Sequence, residues 1–222
     1  MKKVKTAKRQ QQIAEAALNL IARQGLNHLN IGTLAGEVDM VPSAIYRHFP
    51  SKDEILKSVL EVIAQRLQEN VVAVCASTDN PLEQLHRLLQ RHVQLASNNA
   101  GFPRILFSEQ IFAGDPVRRK MVHQTFQGYL HKIGAIIRTG QRQGHILPAV
   151  PADVAAVMFL GLIQPAVILQ LMSGGGFDAA RHAEQAWKLF RNLLEVYQSR
   201  PHSTKRKREP NFAAVDELIN AY

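Results

Sequence analysis

The sequence predicts an all-α protein with a small N-terminal helix-turn-helix domain of three helices ahead of a larger helical domain. Apolar residues recur at three- and four-residue spacing along nearly the whole chain, and no run of alternating β-branched residues competes with that period. Segment starts are marked by Asn, Ser, Asp or Pro, the residues that cap or open helices. Near the N-terminus two short periodic segments are joined by only three residues, which are helix-turn-helix dimensions.

The elements follow in order. Ile13, Ala16, Ala17, Leu20 and Ile21 form one apolar stripe, with Gly25 placed for a left-handed cap, so a first helix is expected over 8–24. Asn30 caps a short second helix carrying Ile31, Leu34, Ala35 and Val38. Asp39–Met40–Val41 is the turn, and Pro42 opens a third helix through Phe49. Pro50 stops that helix. In the capping box that follows, Ser51 accepts from the Glu54 amide and the Glu54 carboxylate reaches back to the Ser51 amide, starting a fourth helix that runs to about Ala76. Further helices are expected over 81–97, 102–112 and 115–143, an apolar one from Asp153 to Met172, and a last one from Asp178 to Ser199. That makes nine. Pro165 lacks an amide and stands four residues after Gly161, so the apolar helix should bend. The expected domains are 1–50, 51–199 and a basic tail, 200–222, in which Asn211 caps a segment with Phe212, Val215, Leu218, Ile219 and Tyr222 on one face. That segment either docks on the body or a partner or frays in water.

Composition narrows the function classes. A chain of 222 residues that is 46% hydrophobic can bury a core without metals or disulfides. Cys75 is the only cysteine, so no internal disulfide forms, and it reads as a small apolar residue in the run Val71–Cys75. Net charge is +9, concentrated in Lys2, Lys3, Lys5, Lys8 and Arg9 at one end and in Arg200–Arg208 at the other, a balance that favours polyanions. The basic N-terminus lacks the apolar stretch of a signal peptide. The apolar stretch 154–172 follows Asp153 and contains Gln164, Pro165 and Gln170, so it reads as a buried helix of a cytoplasmic protein without a membrane partner. No H-E-x-x-H, Cys–His set or Gly-rich phosphate loop occurs, and neither the His86/His92 nor the His123/His131 spacing gives a helical metal pair. An enzyme is not expected, and no cofactor or metal is implied.

The stretch from Leu34 to Ile55 resembles the DNA-binding signature of the TetR family of repressors, with Tyr46, His48, Phe49, Ser51 and Lys52 all in register. The strong match covers about residues 10–57. Three positions depart from the pattern: Asp39 replaces the usual turn Gly, Val41 the usual Ser or Thr cap, and Ser43 a frequent Gly. Asp39 is therefore either left-handed or part of a different turn.

A motif of this kind lays its second helix in the major groove. Pro42 and Ala44 are expected at thymine methyls, Ser43 at base edges, and Arg47 either at guanine O6 and N7 or at phosphate or solvent. Tyr46, His48 and Lys52 are expected at phosphates, since the Lys52 cation opposes the helix dipole; Asn30 and Thr33 sit where free amides favour phosphate. The resemblance implies a homodimer on a palindromic double-stranded operator and release by a small-molecule effector. Candidate dimer contacts are Met158, Leu162, Leu169, Phe190, Leu194 and Tyr197, with Trp187 facing either the interface or the core. The expected effector pocket is walled by Phe102, Phe107, Phe112, Met121, Phe126 and Tyr129, with His92, His123, Gln124, Gln127 and Gln164 as polar anchors. Between Phe102 and Gln164 the only acids are Glu109, Asp115 and Asp153, which favours a neutral or anionic, partly apolar ligand. A non-specific architectural DNA-binder is the alternative, because charge alone suits any duplex.

Overall fold

A computed structural model describes residues 2–112 and 115–195, without the side chains of residues 2–5 and of Phe112. Tyr197, the end of the last expected helix and the whole 200–222 tail lie outside the described residues.

Eleven α-helices are present among them: α1 Lys2–Gln24, α2 Ile31–Glu37, α3 Pro42–His48, α4 Lys52–Ser77, α5 Pro81–Asn98, α6 Gly101–Leu106, α7 Glu109–Phe112, α8 Pro116–Arg142, α9 Ala152–Gly161, α10 Gln164–Met172 and α11 Ala179–Leu194. A 3₁₀ turn, Leu26–His28, links α1 to α2. No strand occurs among the described residues; a single bridge pairs Ile146 with Glu195.

Two expected helices are each divided. The segment 102–112 breaks between α6 and α7, where the Ser108 hydroxyl donates to the Ile105 carbonyl (2.8 Å) and closes the first piece. The apolar helix breaks between Gly161 and Gln164, next to Pro165, whose missing amide cannot continue the ladder. The expected bend is thus a helix junction, and it shortens what length alone would read as a membrane span over Ala152–Met172.

Helix starts follow their caps. Asn30 accepts from the Thr33 amide (2.8 Å), Asn80 from Leu82 and Glu83, Asp115 from Val117, and Asp178 from Arg181. Ser51 accepts from the Glu54 amide at 3.2 Å, but the Glu54 carboxylate turns to Lys57 (2.7 Å) rather than to the Ser51 amide. Half of the capping box forms.

One buried apolar cluster runs from the head into the body, so α1–α3 are not a separate bead on a string. Ile13, Leu20 and Ile21 of α1 pack with Leu34, Ile45 and Phe49; Leu18 and the lower part of α4 lead on to α5, α6 and α8. Cys75 is exposed near the end of α4, contrary to its reading as a packed residue.

Candidate nucleic-acid interface and apolar cavity

The head presents a turn and a short helix. Asp39 has φ 52°, a left-handed conformation that Asp tolerates better than most residues. The Met40 amide donates to the Ala35 carbonyl (2.9 Å), which closes the turn, and Val41 opens α3 with no side-chain cap. On α3, Pro42, Ser43, Tyr46 and Arg47 are exposed, while Ala44 and Ile45 are buried. Ala44 therefore faces into the head and does not present its methyl to a groove, which corrects its expected place among base contacts.

His48 is half-buried, and its Nδ1 is enclosed without a hydrogen-bond partner. A buried N–H left unpaired costs more than a buried lone pair, so the neutral ring carries its proton on Nε2, where it can donate outward. Its carbonyl accepts from Gln10 Nε2 (3.0 Å), which ties the end of α3 to α1. Lys52 is half-buried at the first position of α4. Asn30 is occupied locally, its amide donating to His28 (3.3 Å) while its oxygen caps α2, and Thr33 is half-buried beside it.

The body holds a small, partly open apolar pocket between α4, α5, α6, α8 and the α9–α10 junction. Its walls are mainly aliphatic and aromatic. Of the residues singled out from the sequence, His92, Phe102, Phe107, Phe126, Tyr129 and Gln164 line it. His123, Gln124 and Gln127 do not: they are exposed on α8, one helical face away from Phe126 and Tyr129. Met121 packs partly buried on the core without lining the cavity, and the Phe112 side chain lies outside the described residues. Ile63 and Leu67 of α4, with Pro103, Leu106, Ile163 and Val167, complete the wall. Their helical periodicity reads as plain core, so nothing in the sequence separates them from other buried aliphatics.

His92 and Tyr129 form the polar feature of this wall, with Nδ1 2.9 Å from the phenol oxygen. Burial pushes the His92 ring down to about 4 and the Tyr129 hydroxyl up. Both are uncharged at neutral pH. In either neutral tautomer one proton lies in the shared hydrogen bond and one more N–H or O–H is left as a donor for an occupant.

The cavity wall touches the head directly. Gly101 begins α6 so close to α1 that a Cβ there would lie 2.6 Å from the Leu18 carbonyl oxygen. Asn99 braces the same junction, accepting from the Gly101 amide (3.0 Å) and donating to Asn19 (3.2 Å). The Arg66 guanidinium lies over the Phe102 ring at 5.9 Å and reaches Glu15 of α1 at 3.8 Å. At the N-terminal end of α4, Asp53 pairs with the buried Arg118 of α8 at 2.6 Å.

Helices α9, α10 and α11 expose Val157, Met158, Leu169, Leu189 and Leu193. Phe190 and Leu194 are buried in the protomer, which corrects their expected place as dimer contacts. Trp187 is buried as well, its ring stacked on His86 at 5.1 Å.

Comparison with known proteins agrees with this geometry. Residues 13–59 match the N-terminal domain of bacterial regulatory proteins of the tetR family, and residues 78–194 match the tetracyclin repressor-like C-terminal domain. The nucleoid occlusion factor SlmA of Vibrio vulnificus is 24% identical over 187 residues, covering 83% of this chain and 95% of that protein. A regulator from Saccharomonospora viridis solved with choline superposes with a TM-score of 0.72 at 23% identity, covering 86% of this chain and 99% of that one. The transcriptional regulator FadR of Bacillus subtilis, solved with stearoyl-CoA, gives 0.67 at 20% identity, covering 83% and 98%. With both of its domains matched and the fold shared throughout, the chain belongs to the TetR family of DNA-binding regulators.

Proposed function

We propose that this regulator is a repressor that binds a palindromic operator as a homodimer and is released when a small, partly apolar effector fills the cavity. The observation that carries this reading is the cavity's own wall. Phe102 and Pro103 lie on α6, which is packed through Gly101 onto α1 of the head. An occupant that prefers a shifted α6 therefore biases the angle of the recognition helix, and operator affinity falls by the ratio of its affinities for the two states.

In the complex, Ser43, Pro42 and Arg47 read base edges, while Tyr46, His48 Nε2 and Lys52 hold phosphates. Asn30 and Thr33 serve chiefly to form the start of α2, where its free amides approach the backbone. The dimer forms through α9, α10 and α11, whose exposed apolar side chains are the ones a four-helix interface covers. The protein acts in the cytoplasm, where its operator is.

Footprinting on the promoters beside its own coding sequence tests the reading. A discrete palindromic footprint that weakens when an effector binds is expected; an operator affinity unchanged by every molecule that fills the cavity would defeat it. The Lys52→Ala variant should flatten the dependence of log affinity on log salt by about one unit, the share of one phosphate. An unchanged slope removes Lys52 from the interface.

The names of the relatives favour a second reading, in which the chain is itself a nucleoid occlusion factor and binds DNA without a dedicated operator. Binding at many dispersed sites across the chromosome, indifferent to any ligand, would select it.

A further inference from the structure

The fold and a DNA partner favour opposite charges in the first turn of α4. A helix start favours carboxylates, and Asp53 and Glu54 occupy the turn that Ser51 caps. Phosphate favours cations, and Lys52 stands between that cap and the two acids. Consecutive Cα atoms are about 3.8 Å apart. The charge of Asp53 therefore acts well inside the ~8 Å over which charges are felt at physiological salt, on the same phosphate that Lys52 holds in the proposed complex.

Each acid of the turn has a cation. Glu54 pairs with Lys57 of the same helix at 2.7 Å. Asp53 pairs with Arg118, which comes from the start of α8. Asp115, the cap of α8, accepts from the Val117 amide, and its charge also acts on Lys57. Neither pair engages Lys52. Arg118 is an unexpected residue for its place. Its side chain is 9% exposed against 61% for Asp53; a single guanidinium nitrogen meets the carboxylate, and Nε is enclosed without a hydrogen-bond partner. An enclosed N–H without an acceptor costs stability, and an apolar side chain of similar volume often replaces a buried ion with no loss. Packing gives no reason for a cation here. The pair is also a weak brace, because its carboxylate end is solvated. What the guanidinium alone supplies is cancellation of the Asp53 charge.

We propose that Arg118 is a positioning residue for DNA binding: it neutralises Asp53 and holds it against α8, so that the first turn of α4 meets phosphate with the charge of Lys52. This rests on Lys52 lying at the DNA backbone; it requires neither a dedicated operator nor an effector. Without the guanidinium, the Asp53 carboxylate repels the phosphate that its neighbour attracts.

Fluorescence anisotropy of the full chain on two labelled duplexes, the footprinted operator and one of unrelated sequence, tests this with Arg118→Met, Asp53→Asn and the double variant. Arg118→Met keeps the buried volume and should hold or raise stability in urea unfolding, yet bind both duplexes about tenfold more weakly. Asp53→Asn should bind at least as tightly as the native chain. The double variant, with neither charge, should return to the native level, and the loss in Arg118→Met should shrink as salt is raised. A bridge that merely ties α8 to α4 gives another pattern, in which Asp53→Asn and the double variant lose as much as Arg118→Met. That pattern overturns the proposal, as does an Arg118→Met variant that binds both duplexes like the native chain. Should Arg118→Met not fold, Arg118→Gln carries the same comparison, and an Asp53→Asn variant weakened about tenfold still overturns it. A Lys52→Ala salt slope equal to the native one removes the turn from the interface and this proposal with it. Absence of a palindromic footprint or of effector release defeats only the repressor reading, because unrelated DNA presents the same phosphates.

Discussion

At the scale of single residues, Asp39 shows how a departure from a family pattern is absorbed. The turn requires positive φ at this position, and Asp supplies it at φ 52° where glycine is usual. Asp39→Gly should hold or raise stability, whereas Asp39→Val should fall below Asp39→Gly by about 1 kcal/mol in urea unfolding, since a β-branched side chain suits the left-handed region poorly. Equal stabilities would show that the turn is not held in that conformation. His92 offers a pH test. Its ring is held down to about 4 by burial, against an ordinary 6.5, so the native state stays neutral while the unfolded chain takes up a proton. Stability should therefore decline as pH falls from about 6.5 towards 4. His92→Gln, which can still bond Tyr129, should lose on the order of 2 kcal/mol of that decline. An identical pH profile in the variant would mean that His92 is solvated. The turn and α3 were legible from the sequence because Pro42 and the Tyr46–Lys52 register are local signals. The orientation of Ala44 was not, because a helix of seven residues, Pro42–His48, leaves too little periodicity to choose between its faces.

At the scale of elements, the starts of helices were readable and their interruptions less so. Caps are short-range chemistry, and Asn30, Ser51, Asn80, Asp115 and Asp178 each act at the amides just ahead of them. The separation of α6 from α7 has a tertiary origin. Gly101 lets α6 descend onto α1, and the chain must then turn before α7 brings Gln110 to Asn27 (2.8 Å). Such a docking leaves no periodic mark. The close approach makes a sharp prediction. Gly101→Ala forces a methyl against the Leu18 carbonyl, a backbone atom that cannot rotate away, and should destabilise the fold by about 1–3 kcal/mol in denaturant unfolding. If α6 is the link between cavity and head, the same variant should also change how strongly an effector weakens operator binding. Native-like stability together with native-like coupling would show that the α1–α6 contact is neither tight nor used.

At the scale of the whole molecule, the division between inside and outside decides the assembly. Sequence periodicity alone marks α11 as amphipathic but cannot say which apolar residues serve the protomer. Trp187, Phe190 and Leu194 are consumed by packing against α5 and the body, which leaves Leu189 and Leu193 on the outer face at 71% and 57% exposure. They are one helical turn apart on α11, and Val157 and Met158 of α9 are exposed as well. Exposed apolar side chains of this kind are unfavourable in water, and the proposed dimer covers them. Replacing both Leu189 and Leu193 with Glu places like charges across a two-fold interface while leaving the protomer core untouched. Sedimentation should then report monomers with native helical content. On the proposed palindromic operator one head reads only half of the site, so operator affinity should drop to the non-specific level, on the order of a thousandfold. A double variant that remains dimeric moves the interface away from α11, and a monomer that keeps full operator affinity removes the need for two-fold recognition altogether.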